Sequence, residues 1–333
     1  MRAEHVRIAA AAALSTALVG ASTPAYACDP FRDACVDRDA RWNSAAPSAV
    51  VGIGSAAGIA SAAGPREWVL GLQLGYVHRP LQLLSPTPSP RTPTAVDALR
   101  GAVDTELQFG HQRGRLFLDA ALGATVWQDG RGVQSAVGGP EPGSTALRDA
   151  RVSAQYTIHA DARVAVAPRL TLSLPIGTRG VFRTEGSVGA SASLLVAAHQ
   201  KDWDLAAELG ARLRPFAESS ALGVRTDAQM VAQFGLARRL GGAFESTVSV
   251  SLFAAPSLVG QRWIRQSTTG EPIATPSHVA WVPAEAALGA QFCDTKACTW
   301  RLTPEVGVAL PVGQSALNVA APWRAAVALS WTP

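Results

Sequence analysis

The stretch Trp203–Leu213, WDLAAELGARL, constrains the fold more than any other part of the chain. Its odd positions, Trp203, Leu205, Ala207, Leu209, Ala211 and Leu213, are all apolar. Its even positions, Asp204, Ala206, Glu208, Gly210 and Arg212, are small or charged. Successive side chains of an extended chain point to opposite faces, so this alternation makes a strand with one greasy and one polar face. The pattern recurs. Strands are predicted at about 66–78, 96–110, 115–127, 149–160, 164–177, 187–199, 202–214, 226–239, 243–254, 279–292, 299–310 and 322–332.

The connections between these strands alternate in length. Those after the even-numbered strands are short, as at His111–Gly114 and Gly241–Gly242. Those after the odd-numbered strands are longer, as in the Pro-rich Pro80–Pro93 stretch, which is expected to be a loop, and in residues 256–277 with Arg262, Trp263 and Arg265. Tight turns on one side and long loops on the other is the rule of outer-membrane barrels, and a soluble sandwich has no reason to sort its loops this way. Trp68, Trp127, Trp203, Trp300, Trp323 and Trp331 cluster at strand ends, as interfacial girdles do. After the N-terminus no run of about 18 apolar residues offers a helical span. The fold class is therefore all-β: one closed antiparallel transmembrane barrel of about twelve strands, apolar outside and polar inside, over residues 66–333. An even count brings both termini to the periplasmic side.

The first 27 residues have a different character. Arg2 and Arg7 precede the apolar run Ile8–Val19, and Ala25-Tyr26-Ala27 has the small-residue form of a cleavage site. They read as a secretory signal peptide. Cys28 follows the cut directly, but Ala25 stands where lipoprotein sites usually carry Leu. Residues 28–65 form a mature N-terminal segment. Its part from Pro47 to Pro65 is rich in Gly, Ala and Ser, with Val50, Val51, Ile53 and Ile59 as weak apolar points. Composition leaves a linker, a short helix and a partial plug of the barrel open. Four cysteines sit in two close pairs, Cys28/Cys35 and Cys293/Cys298. In an exported chain this predicts local disulfides, and neither pair has the neighbouring His that a zinc site would want.

Charge excludes some partners. The 29 basic and 25 acidic residues nearly balance, and no Lys/Arg run suggests nucleic acid. The register instead places charges of both signs on the inner face: Arg100, Asp104, Glu106, Asp119, Arg151, Arg163, Asp204, Glu208, Arg212, Asp227, Arg239, Glu245, Glu285, Arg301, Glu305 and Arg324. Catalytic signatures are missing: there is no G-x-S-x-G, no H-E-x-x-H and no clustering of the six histidines. No catalytic residue, metal ligand or cofactor is expected. The expected partners are outer-membrane lipid, the barrel assembly machinery and small solutes.

Three runs also carry a resemblance. APRLTLSLPIG (167–177), KDWDLAAELGARLRP (201–215) and DAQMVAQFGLA (227–237) resemble transporter-like outer-membrane barrels. That group includes the barrel halves of large OmpA-type proteins and the phenol-degradation-associated outer-membrane transporters. The likeness covers residues 66–333 and implies a single barrel of about twelve strands. A peptidoglycan-binding domain like that of the large OmpA-type chains is not expected here, and Trp331 is followed by Thr332 and Pro333. The expected function is a passive pore or transporter-like channel for small solutes. The competing reading is a structural or ligand-binding barrel with a closed lumen.

Overall fold

The computed structural model describes residues 67–84, 95–130, 144–160, 163–178, 188–213, 217–219, 224–226, 228–240, 246–256, 262–266, 272–276, 284–294, 299–310, 317–318 and 323–331. Twelve long strands form the wall. They are β1 (Glu67–Leu84), β2 (Ala95–Arg113), β3 (Leu116–Asp129), β4 (Ala150–Tyr156), β5 (Val164–Leu174) and β6 (Gly189–Gln200). Then come β7 (Trp203–Leu213), β8 (Gln229–Arg239), β9 (Ser246–Ala254), β10 (Ala284–Cys293), β11 (Trp300–Ala309) and β12 (Trp323–Trp331). Each pairs antiparallel with its sequence neighbours. The ring closes where β1 meets β12, in a ladder from Leu70↔Trp331 to His78↔Trp323. Closure satisfies backbone groups that hydrocarbon would otherwise leave unbonded.

The turns explain the local hairpins. Gly114 takes φ +59 in the β2–β3 turn, where a Cβ would be strained. Lys201 adopts φ +51 in the two-residue turn between β6 and β7. The turn expected at Gly241–Gly242 lies outside the described residues.

The wall sorts its side chains as the alternation requires. Leu209 and Leu288, on the outer face, keep 57% and 58% of their surface exposed. Both ends of the outer face carry aromatic groups. At the short-turn end Trp68 stacks on His111 at 4.0 Å and lies 5.1 Å from Phe109. At that same end Trp300 faces Trp331 at 6.3 Å, and the Arg238 guanidinium sits over Trp203 at 5.4 Å. At the long-loop end Trp323 meets His78 at 5.3 Å and Tyr76 at 5.2 Å. Aromatic rings at both rims with aliphatic side chains between them match the interfacial belts of membrane barrels.

Two expectations are corrected. Pro80 does not end the first strand, because β1 continues to Leu84 and stays paired with β2. The ladder slips between His78 and Leu81, where Arg79 takes φ +47, so Pro80 falls at an irregularity that needs no donor. The loop after β9 is itself paired: Arg262–Gln266 and Pro272–Pro276 form a hairpin. That hairpin joins Ala217–Ser219 and Val224–Thr226 in a four-stranded sheet.

Leu209 tests the facing directly. Leu209→Arg should lower stability by about 2–4 kcal/mol, the cost of Arg at the midplane of such barrels. Reversible denaturant unfolding in lipid vesicles measures it, and a variant as stable as the parent would put Leu209 off the lipid face.

Candidate functional site: the polar interior

Many charged side chains on the inner wall are held in mixed-sign clusters. On β2 to β5, Glu106 is buried and accepts from Arg148 at 3.1 Å, from Arg151 and from Gln108 at 2.6 Å. Arg169 reaches Asp119 at 3.2 Å and Ser153 at 3.0 Å, and Thr171 donates to the same Ser153 hydroxyl at 3.1 Å. Asp104 accepts from Thr125 at 2.9 Å. Removing such charges from water is costly, and each is offset here by an opposite charge or a hydroxyl.

The sequence makes room for these long side chains. Gly123 lies beside Arg148, and a Cβ there would come within 2.8 Å of the arginine Cδ. Arg148 itself enters by a break in alternation. Arg148 and Asp149, between the short pairing segment Ala146–Leu147 and β4, are both buried. Asp149 then accepts the Gly177 amide at 2.9 Å, tying this irregularity to the end of β5. Irregularities of this kind re-aim a side chain that strict pleating would send outward.

A second cluster lies on β10 to β12. Arg324 Nε donates to both oxygens of Glu285, at 2.9 and 3.0 Å, and its Nη2 donates to Glu305. Gly307 gives this cluster its space, since a Cβ there would sit 2.5 Å from Glu285 Oε1. At the short-turn end Asp204, fully buried, takes a fork of two bonds from Arg239 at 2.8 and 3.0 Å.

Space inside is uneven. A recess bordered by Arg169, Ser191, Ser193, Glu208, Arg212 and Gln233 holds about 20 Å³, little more than one water. Along the inner faces of β12 and β1, by contrast, Ala326, Ala328, Ser330, Gln73, Gly75 and Val77 are partly exposed. These small, neutral side chains share that partial exposure with charged ones on the inner face, among them Glu208, Glu285, Arg301 and Arg324.

Among the sequence-selected residues, the pairs bring together Glu106 with Arg151, Asp204 with Arg239, and Glu285 with Glu305 around Arg324. Asp119 pairs with Arg169, Arg212 is 2% exposed, and Glu208 and Arg301 are half-buried. Arg100 departs from expectation. It is exposed while its neighbour Leu99, which alternation from Arg100 would put on the outer face, is fully buried, in the stretch where the β1–β2 ladder slips twice. Arg163 is exposed beside the β4–β5 turn. Asp227, Glu245, Cys28, Cys35 and Cys298 lie outside the described residues, while Cys293 ends β10 with its side chain buried.

Two arginines were missed. Arg169 shares the inner phase of Ala165, Ala167, Thr171 and Ser173, so the alternation of β5 was enough to find it. Arg148 follows no period and carried no such signal. Among the described residues no three His, Cys, Asp or Glu gather into a metal site.

Comparison with known proteins gives fold without family. No family model and no curated protein matches the chain. An outer-membrane channel from Pseudomonas putida F1 aligns over 81% of this chain and 96% of its own, at TM-score 0.55 and 13% identity. This chain shares that barrel fold, in keeping with the resemblance to transporter-like outer-membrane barrels. The NanC porin covers 79% of this chain and 98% of its own at 9% identity, with a TM-score of 0.45. The Pseudomonas putida toluene transporter TodX covers 87% and 95% at 10% identity, with a TM-score of 0.42.

The Glu106 cluster predicts an asymmetric response. Glu106→Ala leaves two buried arginines without their carboxylate and should cost about 3–5 kcal/mol, as removal of one partner from a buried pair does. Glu106→Gln, which keeps an acceptor, should cost less. Denaturant unfolding compares them, and equal stability of both variants with the parent would contradict the pairing.

Proposed function

We propose that this chain is a passive outer-membrane pore, or transporter-like channel, for small solutes, acting without cofactor or covalent chemistry. The observation that carries the reading is the partly exposed, polar inner face inside a wall whose outer face is apolar and whose rims are aromatic. Such a wall suits a bilayer, and a partly exposed inner face of small, polar and charged side chains suits a water-borne solute. Its charges are held in mixed-sign clusters whose excesses oppose each other, two arginines on Glu106 and one arginine on Glu285 and Glu305, which favours weak selectivity.

This reading includes further parts. Residues 1–27 act as the export signal, and the barrel sits in the outer membrane with the assembly machinery and lipid as its partners. The strand ends Glu67 and Trp331 share the short-turn rim, which we assign to the periplasm, together with both termini. There Cys28–Cys35 and Cys293–Cys298 pair locally. The second reading is a structural or ligand-binding barrel with a closed lumen, and the small recess beside Arg169 and Arg212 favours it.

Single-channel recording of the refolded protein in planar bilayers separates the two readings. The pore reading expects discrete conductance steps and a reversal potential near zero in a salt gradient. Arg324→Ala, which strips the cation from Glu285 and Glu305, should move that potential toward cation selectivity. Sealed bilayers, and liposomes impermeable to small sugars, would contradict the pore. Peptide mapping tests the cysteines: a Cys293–Cys298 peptide is expected, and Cys28 joined to either of them would overturn local pairing.

A further inference from the structure

One inner-face carboxylate differs from the rest. The others described above each accept from an arginine, a hydroxyl or a backbone amide. Among the described inner-face carboxylates, Glu208 of β7 alone makes no ion pair or hydrogen bond, and it is half-buried. Gln233, its cross-strand neighbour on β8, and the hydroxyls of Ser191 and Ser193 on β6 likewise bond to no other group. All four residues border the recess beside Arg169 and Arg212. Arg169 is 7% exposed, and its Nη2 serves Asp119 and Ser153. Its Nε is a buried donor with no acceptor in the protein. Gly210 forms part of the floor, where a Cβ would stand 2.5 Å from the Ser193 Cβ.

One recess therefore brings together an acceptor without a donor, Glu208, and a donor without an acceptor, Arg169 Nε. A hydroxyl answers both, because it donates and accepts at once. A cation would satisfy Glu208 but meet two guanidinium groups of its own sign, and an anion would be repelled by Glu208. We propose that this recess is a binding subsite for a neutral polyhydroxylated solute. One hydroxyl accepts from Arg169 Nε and donates to Glu208, and Gln233, Ser191 and Ser193 take its neighbours. The volume of about 20 Å³ admits a single hydroxyl and not a ring, so the rest of the solute stays in the lumen. A lone hydroxyl gains little over the water it displaces. A polyol gains more, because the groups stand on rigid strands about 4.8 Å apart, and residues two apart on one strand are separated by about 7 Å. Such spacing lets one small molecule engage several of them together. The inference deepens the pore reading and rests on it for an interior that a solute can enter.

Saturation-transfer NMR on the full-length protein in detergent micelles tests it, with sorbitol as the probe. Sorbitol should bind saturably. Glu208→Gln, which keeps the shape but removes the charge on the acceptor, should weaken binding at least about fivefold. Gln233→Leu should weaken it at least about threefold. Ala328→Val, on the inner face of β12, should leave it unchanged. Tetramethylammonium chloride and sodium acetate should not displace sorbitol beyond the effect of sodium chloride. Absence of saturable binding to the parent, or parent-like affinity in both recess variants, would overturn the proposal. So would specific displacement by either organic ion, or an equal loss in Ala328→Val. If Glu208→Gln does not fold, Gln233→Leu decides. Conductance is read separately. A conducting protein that does not bind sorbitol defeats this inference alone, whereas sorbitol binding by a protein that leaves bilayers sealed defeats the pore and keeps the subsite.

Discussion

The ladder between β1 and β12 is the constraint on which the rest depends. Once it forms, none of the twelve wall strands is left at an open end of the sheet, and every wall residue must face either outward or inward. Alternation along each strand then becomes a division between two media. Leu209 and Leu288 can be exposed without penalty because lipid, not water, meets them. Asp204 and Glu106 can be buried because the inner face supplies Arg239, Arg148 and Arg151.

The inner face shows what that division demands. A charge within a narrow interior loses solvation, and only a close partner restores it. The arginines do this through forked or shared contacts, as Arg324 does with Glu285 and Glu305. Fixed contacts of this kind hold the wall in shape. The glycines at 123 and 307 belong to the same device, since each stands where a bulky ion-paired side chain crosses a neighbouring strand.

Most of the wall was legible because it obeys one rule. β7 runs Trp203–Leu213, the stretch whose alternation the sequence displays most cleanly, and the strand ends fall close to where pattern and turn residues put them. The interior was legible as a face but not as a set of partners. Asp119 could be placed inside from its phase, whereas its bond to Arg169 depends on two intervening ladders through β4. What failed to show were the places where alternation lapses. Arg148 is re-aimed by the irregularity before β4. Arg100 and Leu99 exchange their expected burial where the β1–β2 ladder slips. The loop sheet depends on pairing between distant segments, Val224–Thr226 with Arg262–Gln266, which no local pattern encodes.

The central claim is that one face of each strand meets lipid and the other the interior. A spin label placed at each position from Trp203 to Leu213, in cysteine-free protein reconstituted into vesicles, tests it most directly. Collision with dissolved oxygen should rise at the odd positions, peak near Leu209, and fall at Asp204, Ala206, Glu208, Gly210 and Arg212. A profile without this alternation, or one with the even positions facing lipid, would contradict the account.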